Sequence, residues 1–308
     1  MPAGIAWNAG AVRAGLLGQR RLGRERCQEL AGEDSVATVL ERLNEGPYGH
    51  DLEPGMTLAS AQWAVAATPL WHLRILGGWL PPAGGELVRV LVGWWEVLNV
   101  ENLLAKLAGL PAFPPYDLGS LDTAWSRIRA ADSVEGVRQG LAASPWRDPG
   151  ADEPASIVAA LRLSWARRVD EEIEEMSHLI GGWAALVVAR DLFAGGRTQA
   201  GANAARVRML GRDWKDAQDF ADFLRRLPRD AAWVLRDIDK AEDLWRAEVR
   251  WWRSLYADGL ERLRHPASGA DAVMGAFGVL LTDAHRVQGA LELASRGGGE
   301  REMINELL

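Results

Sequence analysis

Residues 35–48 read SVATVLERLNEGPY, and residues 133–146 read SVEGVRQGLAASPW. Displaced by 98 positions, the two stretches share Ser35/Ser133, Val36/Val134, Val39/Val137, Leu43/Leu141 and Pro47/Pro145, with Tyr48 opposite Trp146. In the first copy the apolar positions 36, 39, 40 and 43 follow the i, i+3, i+4, i+7 spacing of one buried helical face. The proline stops the helix, and the aromatic after it is placed to pack back on the helix end. Asp34 and Asp132 are the expected N-caps, with Glu135 completing a capping-box pattern in the second copy. A weaker third copy begins at 219 (DFADFLRRL), where a displacement of 184 pairs Ala37/Ala221, Leu40/Leu224, Arg42/Arg226 and Leu43/Leu227. The same displacement lays 99–107 on 283–291. Similar units recurring about every 100 residues indicate a chain built of repeated supersecondary blocks.

Away from these copies the pattern is helical nearly everywhere. Residues 217–227 bring Phe220, Phe223, Leu224 and Leu227 onto one face, and 156–193 reads as a long amphipathic stretch broken at Gly181-Gly182. Strand-like patterning is confined to 87–92 (LVRVLV), which runs on into a helical pattern. Clusters of Gly, Pro, Asn and Asp mark breaks, clearest at 81–85 and 147–154, with another at 195–203. The expected fold is all-α, made of three similar helical units spanning 1–110, 111–195 and 196–308.

Composition narrows the function. The 308 residues are 48% hydrophobic and 25% charged, which suits a globular chain with ample core. A net charge of −7 argues against a general nucleic-acid binder. The one local basic run, Arg13, Arg20, Arg21, Arg24 and Arg26, reads as the solvated face of a helix. Cys27 is the only cysteine, so no intramolecular disulfide or cysteine-cluster metal site can form, and a reducing compartment is expected. The apolar stretches 61–80 and 87–100 are interrupted by Gln62, His72, Arg74, Arg89 and Glu96, and the first residues lack a secretory-leader pattern. Neither a membrane span nor a leader is expected. Fifteen tryptophans include the pairs Trp94-Trp95 and Trp251-Trp252, in which one ring can enter the core while its neighbour sits at a boundary.

Several segments bring a family into view: AGAVRAGLL at 9–17, the unit at 35–48, NVENLLAKL at 99–107, and GVLLTDAHRVQGALELASRGGGEREMINELL at 278–308. Together they resemble the C-subunit family of archaeal and bacterial V/A-type rotary ATPases, central-stalk adaptors whose eukaryotic counterpart is the d-subunit. The family carries an acid-x-x-Asn-Leu/Ile signature on its helices. Here Asn99 stands where the first acid is expected, and Arg286 replaces the asparagine in Asp283-Ala284-His285-Arg286-Val287. The resemblance implies an all-helical protein of three units forming a funnel, and a final short helix. It further implies a non-catalytic adaptor that couples the central stalk to the membrane rotor ring of a proton- or sodium-translocating motor. Its partners would be central-stalk subunits and the rotor ring, on the cytoplasmic face of the membrane, with membrane contact only through those partners.

Motifs with chemistry of their own are scarce. No phosphate-binding G-x-x-x-x-G-K-[ST], G-x-G-x-x-G after a strand, G-x-S-x-G or H-E-x-x-H occurs. Glu175-x-x-His178 has the ligand spacing of a di-iron helix, but a di-iron bundle needs a second such pair and two further carboxylates. It lies beside the acidic run 170–175, which reads as a solvated face. Asp213, Asp216, Asp219 and Asp222 read as a solvated helix rim, and His72, His265 and His285 are isolated. No catalytic, cofactor-binding or metal-ligating residue is therefore assigned, and no cofactor is expected. A helical enzyme with a metal-dependent pocket, and a free-standing helical scaffold or regulator, are the alternative readings.

Overall fold

The computed structural model describes residues 3–194, 209–299 and 304. Among these there are helices, turns and loops and no strand. The break expected at 195–203 and most of the expected final short helix lie outside the described residues.

The chain divides into two compact units. One comprises Met1–Val88 with Trp252–Leu308, and the other Arg89–Trp251. The first holds α1 (Ala3–Gln19), α2 (Arg24–Ala31), α3 (Val36–Asn44) and α4 (Leu58–Gly77). It also takes the start of α5 (Pro82–Leu107), the end of α12 (Leu244–Arg264) and all of α13 (Gly269–Ser295). The second holds the rest of α5, α6 (Trp125–Ile128), α7 (Val134–Ala142), α8 (Pro154–Glu172), α9 (Ser177–Ala189), α10 (Phe220–Arg226), α11 (Arg229–Ala232) and the start of α12.

In the first unit α13 is the axis, with α1, α2, α3 and α4 packed around it. Its core joins Leu30, Val39, Leu40, Leu43 and Tyr48 to Ala284, Val287 and Leu291 of α13. Gly259 of α12 and Gly275 of α13 let these two backbones meet. A methyl on Gly259 would stand 3.0 Å from the Gly275 carbonyl oxygen.

The second unit is organised by indole rings. Trp94 lies 5.3 Å from Trp165 and 5.5 Å from Trp183, centroid to centroid, and Trp183 lies 4.8 Å from Trp251. Buried indoles need acceptors for their N–H groups. Trp165 donates to the Val90 carbonyl at 3.0 Å and Trp251 to that of Leu179 at 2.8 Å. The adjacent pairs divide as helix geometry requires. Trp95 and Trp251 are buried, whereas Trp94 and Trp252 are half-buried.

Two local expectations are corrected. The N-caps are Ser35 and Ser133, one residue after Asp34 and Asp132. Both serines adopt extended backbone and accept from the N–H three residues on, Thr38 and Gly136. The third copy follows the same register, with Asp219 accepting from Asp222. A cap must hold that extended conformation with its side-chain oxygen over the first turn, and only the residue at the junction does so. The stretch 156–193 breaks at 173–176, between α8 and α9, and not at the glycines. Gly181 and Gly182 lie buried inside α9 because a methyl on Gly182 would come 2.8 Å from the Trp233 indole. Residues 87–92 are helical, part of α5.

Two substitutions test this register by urea unfolding. Ser133→Ala is expected to cost about 1 kcal/mol, the worth of an N-cap, while Asp132→Ala leaves stability within about 0.5 kcal/mol. Equal losses from both would place the cap wrongly.

Candidate functional site

Polar groups buried in a helical protein must find partners or destabilise it. Among the buried polar side chains, two carboxylates organise the helix connections. Asp283 of α13 is fully buried. It accepts from the Leu22 N–H at 2.8 Å, the Gly23 N–H at 2.9 Å and the Tyr48 hydroxyl at 2.8 Å. Glu96 of α5 is 1% exposed. It accepts from the Thr123 N–H at 2.6 Å, the Ala124 N–H at 2.7 Å and the Trp146 indole N–H at 2.8 Å. In both clamps the paired amides immediately precede a short helix, α2 or α6, whose first N–H groups lack intrahelical partners. In both, the aromatic donor is the residue that closes the repeated sequence unit, Tyr48 in one and Trp146 in the other.

The clamps also reset the register of the acidic signature. Glu96 stands three residues before Asn99, as Asp283 stands three before Arg286. The acid that receives the returning chain is therefore Glu96, and Asn99 occupies the asparagine place of an acid-x-x-Asn pattern. Asn99 accepts from the Tyr116 N–H at 2.7 Å and donates to the Tyr116 carbonyl at 2.9 Å. Asn102, one turn on, makes the same pair with Phe113, at 2.9 and 2.8 Å. Pro111, Pro114 and Pro115 have no N–H to offer in that extended segment, so the two asparagines bind the backbone in place of a neighbouring strand. At the corresponding place Arg286 is buried, lies 4.1 Å over the Tyr256 ring and leaves its Nη1 without a hydrogen-bond partner.

Burial governs the electrostatics. It raises the Glu96 carboxyl above its usual range against the opposing N–H donors of Thr123, Trp146 and Ala124. The Tyr48 hydroxyl is pushed well above its usual value by burial and by Asp283 beside it. Burial and the same aspartate push the Cys27 thiol far up, so Cys27 is an inert core residue and not a nucleophile. His72 is held down to about 4 by burial and by Arg20 and Arg13.

The remaining candidates do not converge. Glu175 and His178 are exposed, and the His178 ring stacks on Trp233 at 4.9 Å. Asp213, Asp216 and Asp219 are exposed, and Asp222 pairs with Arg225 and Arg226. Its carboxyl is held low, first by the Gln218 N–H and then by Arg226. His265 is exposed, and His285 stacks on Trp252 at 4.1 Å. Among the described residues no three of His, Cys, Asp and Glu gather as a metal site would require. A cavity of about 580 Å³ opens between α5, α8 and α9, lined by Leu104, Val158, Trp183, Leu186, Asp191 and other residues, and the Arg162–Glu101 ion pair at 2.8 Å borders it. Its described lining contains no serine, cysteine or histidine, and its ionisable groups are Glu101, Arg162, Arg190 and Asp191.

What the site can do chemically is hold backbone. What the sequence missed was Glu96, whose only signal was an acid inside an otherwise apolar helix. No family model and no curated protein matches this chain.

Two measurements follow. Glu96→Ala strands three buried donors and is expected to cost about 3 kcal/mol or more by urea unfolding, with Glu96→Gln costing less because one acceptor remains. Separately, His72 is neutral when folded and titrates at a lower pH than in the unfolded chain. Its contribution is present above the ordinary histidine value of 6.5 and lost as pH falls toward 4. His72→Gln should flatten the stability profile in that window, and an unchanged acid slope would discount the histidine.

Proposed function

We propose that this chain is a non-catalytic adaptor subunit of a V/A-type rotary ATPase, seated between the central stalk and the membrane rotor ring. The observation that carries the reading is the recurrence of one structural device at matching places in the sequence. Glu96 lies 14 residues after the first residue of α5, and Asp283 lies 14 after the first residue of α13. Asp191 lies 14 after the first residue of α9, in the π-helical turn that extends it. In chain order, the first two of these helices each end a block of short helix, capped helix and two long helices, α2 to α5 and α6 to α9, and in the third block α13 follows capped α10, short α11 and long α12. The caps Ser35, Ser133 and Asp219 keep the register found in the sequence. Three blocks with an acid at one fixed place match the three-unit architecture that the resemblance implies, and the acid-x-x-Asn order at Glu96 and Asn99 is closer to the family signature than Asn99 alone. The three-unit division and its funnel arrangement belong to this proposal.

A chain whose buried acids tie its helix connections together suits transmission of force between partners. No helix among the described residues is long and apolar enough to cross a membrane.

Affinity purification of the tagged chain from native membranes in mild detergent tests this. Stalk and ring subunits should be recovered in fixed ratio with it. Recovery without any of them, from cells that produce a rotary ATPase of this type, would end the proposal. A stoichiometric transition metal in the pure protein would instead favour a helical metalloenzyme.

A further inference from the structure

In the first unit, α1 and α4 pack side by side on α13. The Arg13 guanidinium of α1 lies 5.0 Å over the ring of Trp79, in the turn that ends α4, and Arg13 and Arg20 both act on His72. Arg13 and Arg20 are about two helical turns apart along α1 and its final turn, as His72 and Trp79 are along α4, so these four residues mark the seam between the helices. Buried Ala14 and Leu17 lie to one side of that line on α1, and buried Leu73 and Leu76 to the corresponding side on α4. Val12 and Leu16 fall on the opposite, outward side of α1, and Trp71 and Ile75 on the outward side of α4, with Trp79 at the seam.

That outward strip is apolar where solvent should have selected polar groups. Val12 is 68% exposed, Leu16 55%, Trp71 42% and Trp79 54%. These are four of the five large hydrophobic side chains most exposed among the described residues. Neither helix contributes negative charge to the strip, and at its edge His50, bonded to Asp51, stacks on Trp71 at 5.7 Å. The chain has 42 acidic residues, yet the 17 residues of α1 and the 20 of α4 contain none. Among the described residues neither Arg13 nor Arg20 forms an ion pair, and Arg13 Nε has no hydrogen-bond partner. Two cations thus stand along an apolar seam with no carboxylate to balance them.

We infer that the α1–α4 strip is a docking surface for an amphipathic helix of a partner protein, with acidic residues flanking the partner's apolar face. Two features select a helix. Val12 and Leu16 are spaced i, i+4, as are Trp71, Ile75 and Trp79, so each helix presents a ridge of the kind that a third helix meshes with. The seam between them offers the groove. Acid flanks follow from Arg13 and Arg20, since charges of opposite sign are placed opposite one another at interfaces. Tryptophan and arginine are also the side chains that most often dominate interface binding. The inference does not depend on the rotary-motor reading.

Photocrosslinking in the native cell tests it with the full chain. A benzophenone amino acid replaces Leu16 in one variant and Trp79 in another, and the crosslinked peptides are sequenced by mass spectrometry. The expected result is one partner segment captured from both sites, helical in pattern, with Asp or Glu beside its apolar face. Charge reversal by Arg13→Glu with Arg20→Glu should lower crosslink yield at least tenfold while the circular dichroism spectrum stays that of the unmodified chain. Crosslinks to lipid, to a second copy of this chain or to a segment without acidic flanks would overturn the inference, as would no crosslink from either site. A stalk or ring subunit as the captured partner would support both proposals, whereas an acidic helix from an unrelated protein would support this one alone.

Discussion

Asp283 and Glu96 each stand in a dry interior with three donors aimed at one carboxyl group. A carboxyl group in that position is tolerated because N–H and O–H groups replace the water it has lost. The same bonds satisfy the amides of the two residues just before α2 and α6, which lie ahead of the helical hydrogen-bond ladder. One side chain thus resolves two desolvation problems together. The consequence is positional. The acid's place on the long helix dictates where the next short helix starts, and the aromatic after the capped helix is drawn to the same point.

Around these anchors the two units use different packing. The first brings backbones together through glycine, as at Gly259 and Gly275, and leaves α1 and α4 with an apolar outer strip. The second fills its interior with indoles, several of which donate to helix carbonyls. Fifteen tryptophans are therefore not one feature with one purpose. Trp146 completes a clamp, Trp94, Trp165, Trp183 and Trp251 build a core, and Trp71 and Trp79 face outward. Their roles follow from where each sits, on a helix face or in a turn that follows one.

Asn99 and Asn102 show how a non-helical segment is held without a sheet. Residues 110–118 pass α5 without regular secondary structure, and proline removes three of their N–H groups. Of the residues that keep an N–H, Phe113 and Tyr116 are each met by an asparagine that pairs with both the N–H and the carbonyl. The three-residue spacing on the helix matches the three-residue spacing on the extended segment. Arg286 stands at the corresponding place in the first unit and stacks on an aromatic ring instead.

The sequence by itself determined the helical class, the amphipathic units and their spacing, because periodic apolar faces and proline stops are local properties. It also placed Ser35, Ser133 and Asp219 in one register, although it assigned two of the caps one residue early. That error is local too: Asp34 and Ser35 are both good capping types, and only the backbone conformation at the junction chooses between them. The tertiary structure alone decided that Glu96, and not Asn99, receives the returning chain. An acid in an apolar helix looks the same in sequence whether its partners lie on its own helix or far along the chain, and here they lie 27 to 50 residues away. The tertiary structure likewise decided that Gly181 and Gly182 continue a helix, since Gly182 faces the Trp233 indole and Gly181 the Asp230 carbonyl. It also set the outward aim of Trp71 and Trp79, because which face of an apolar helix is left uncovered depends on how many neighbours the fold supplies.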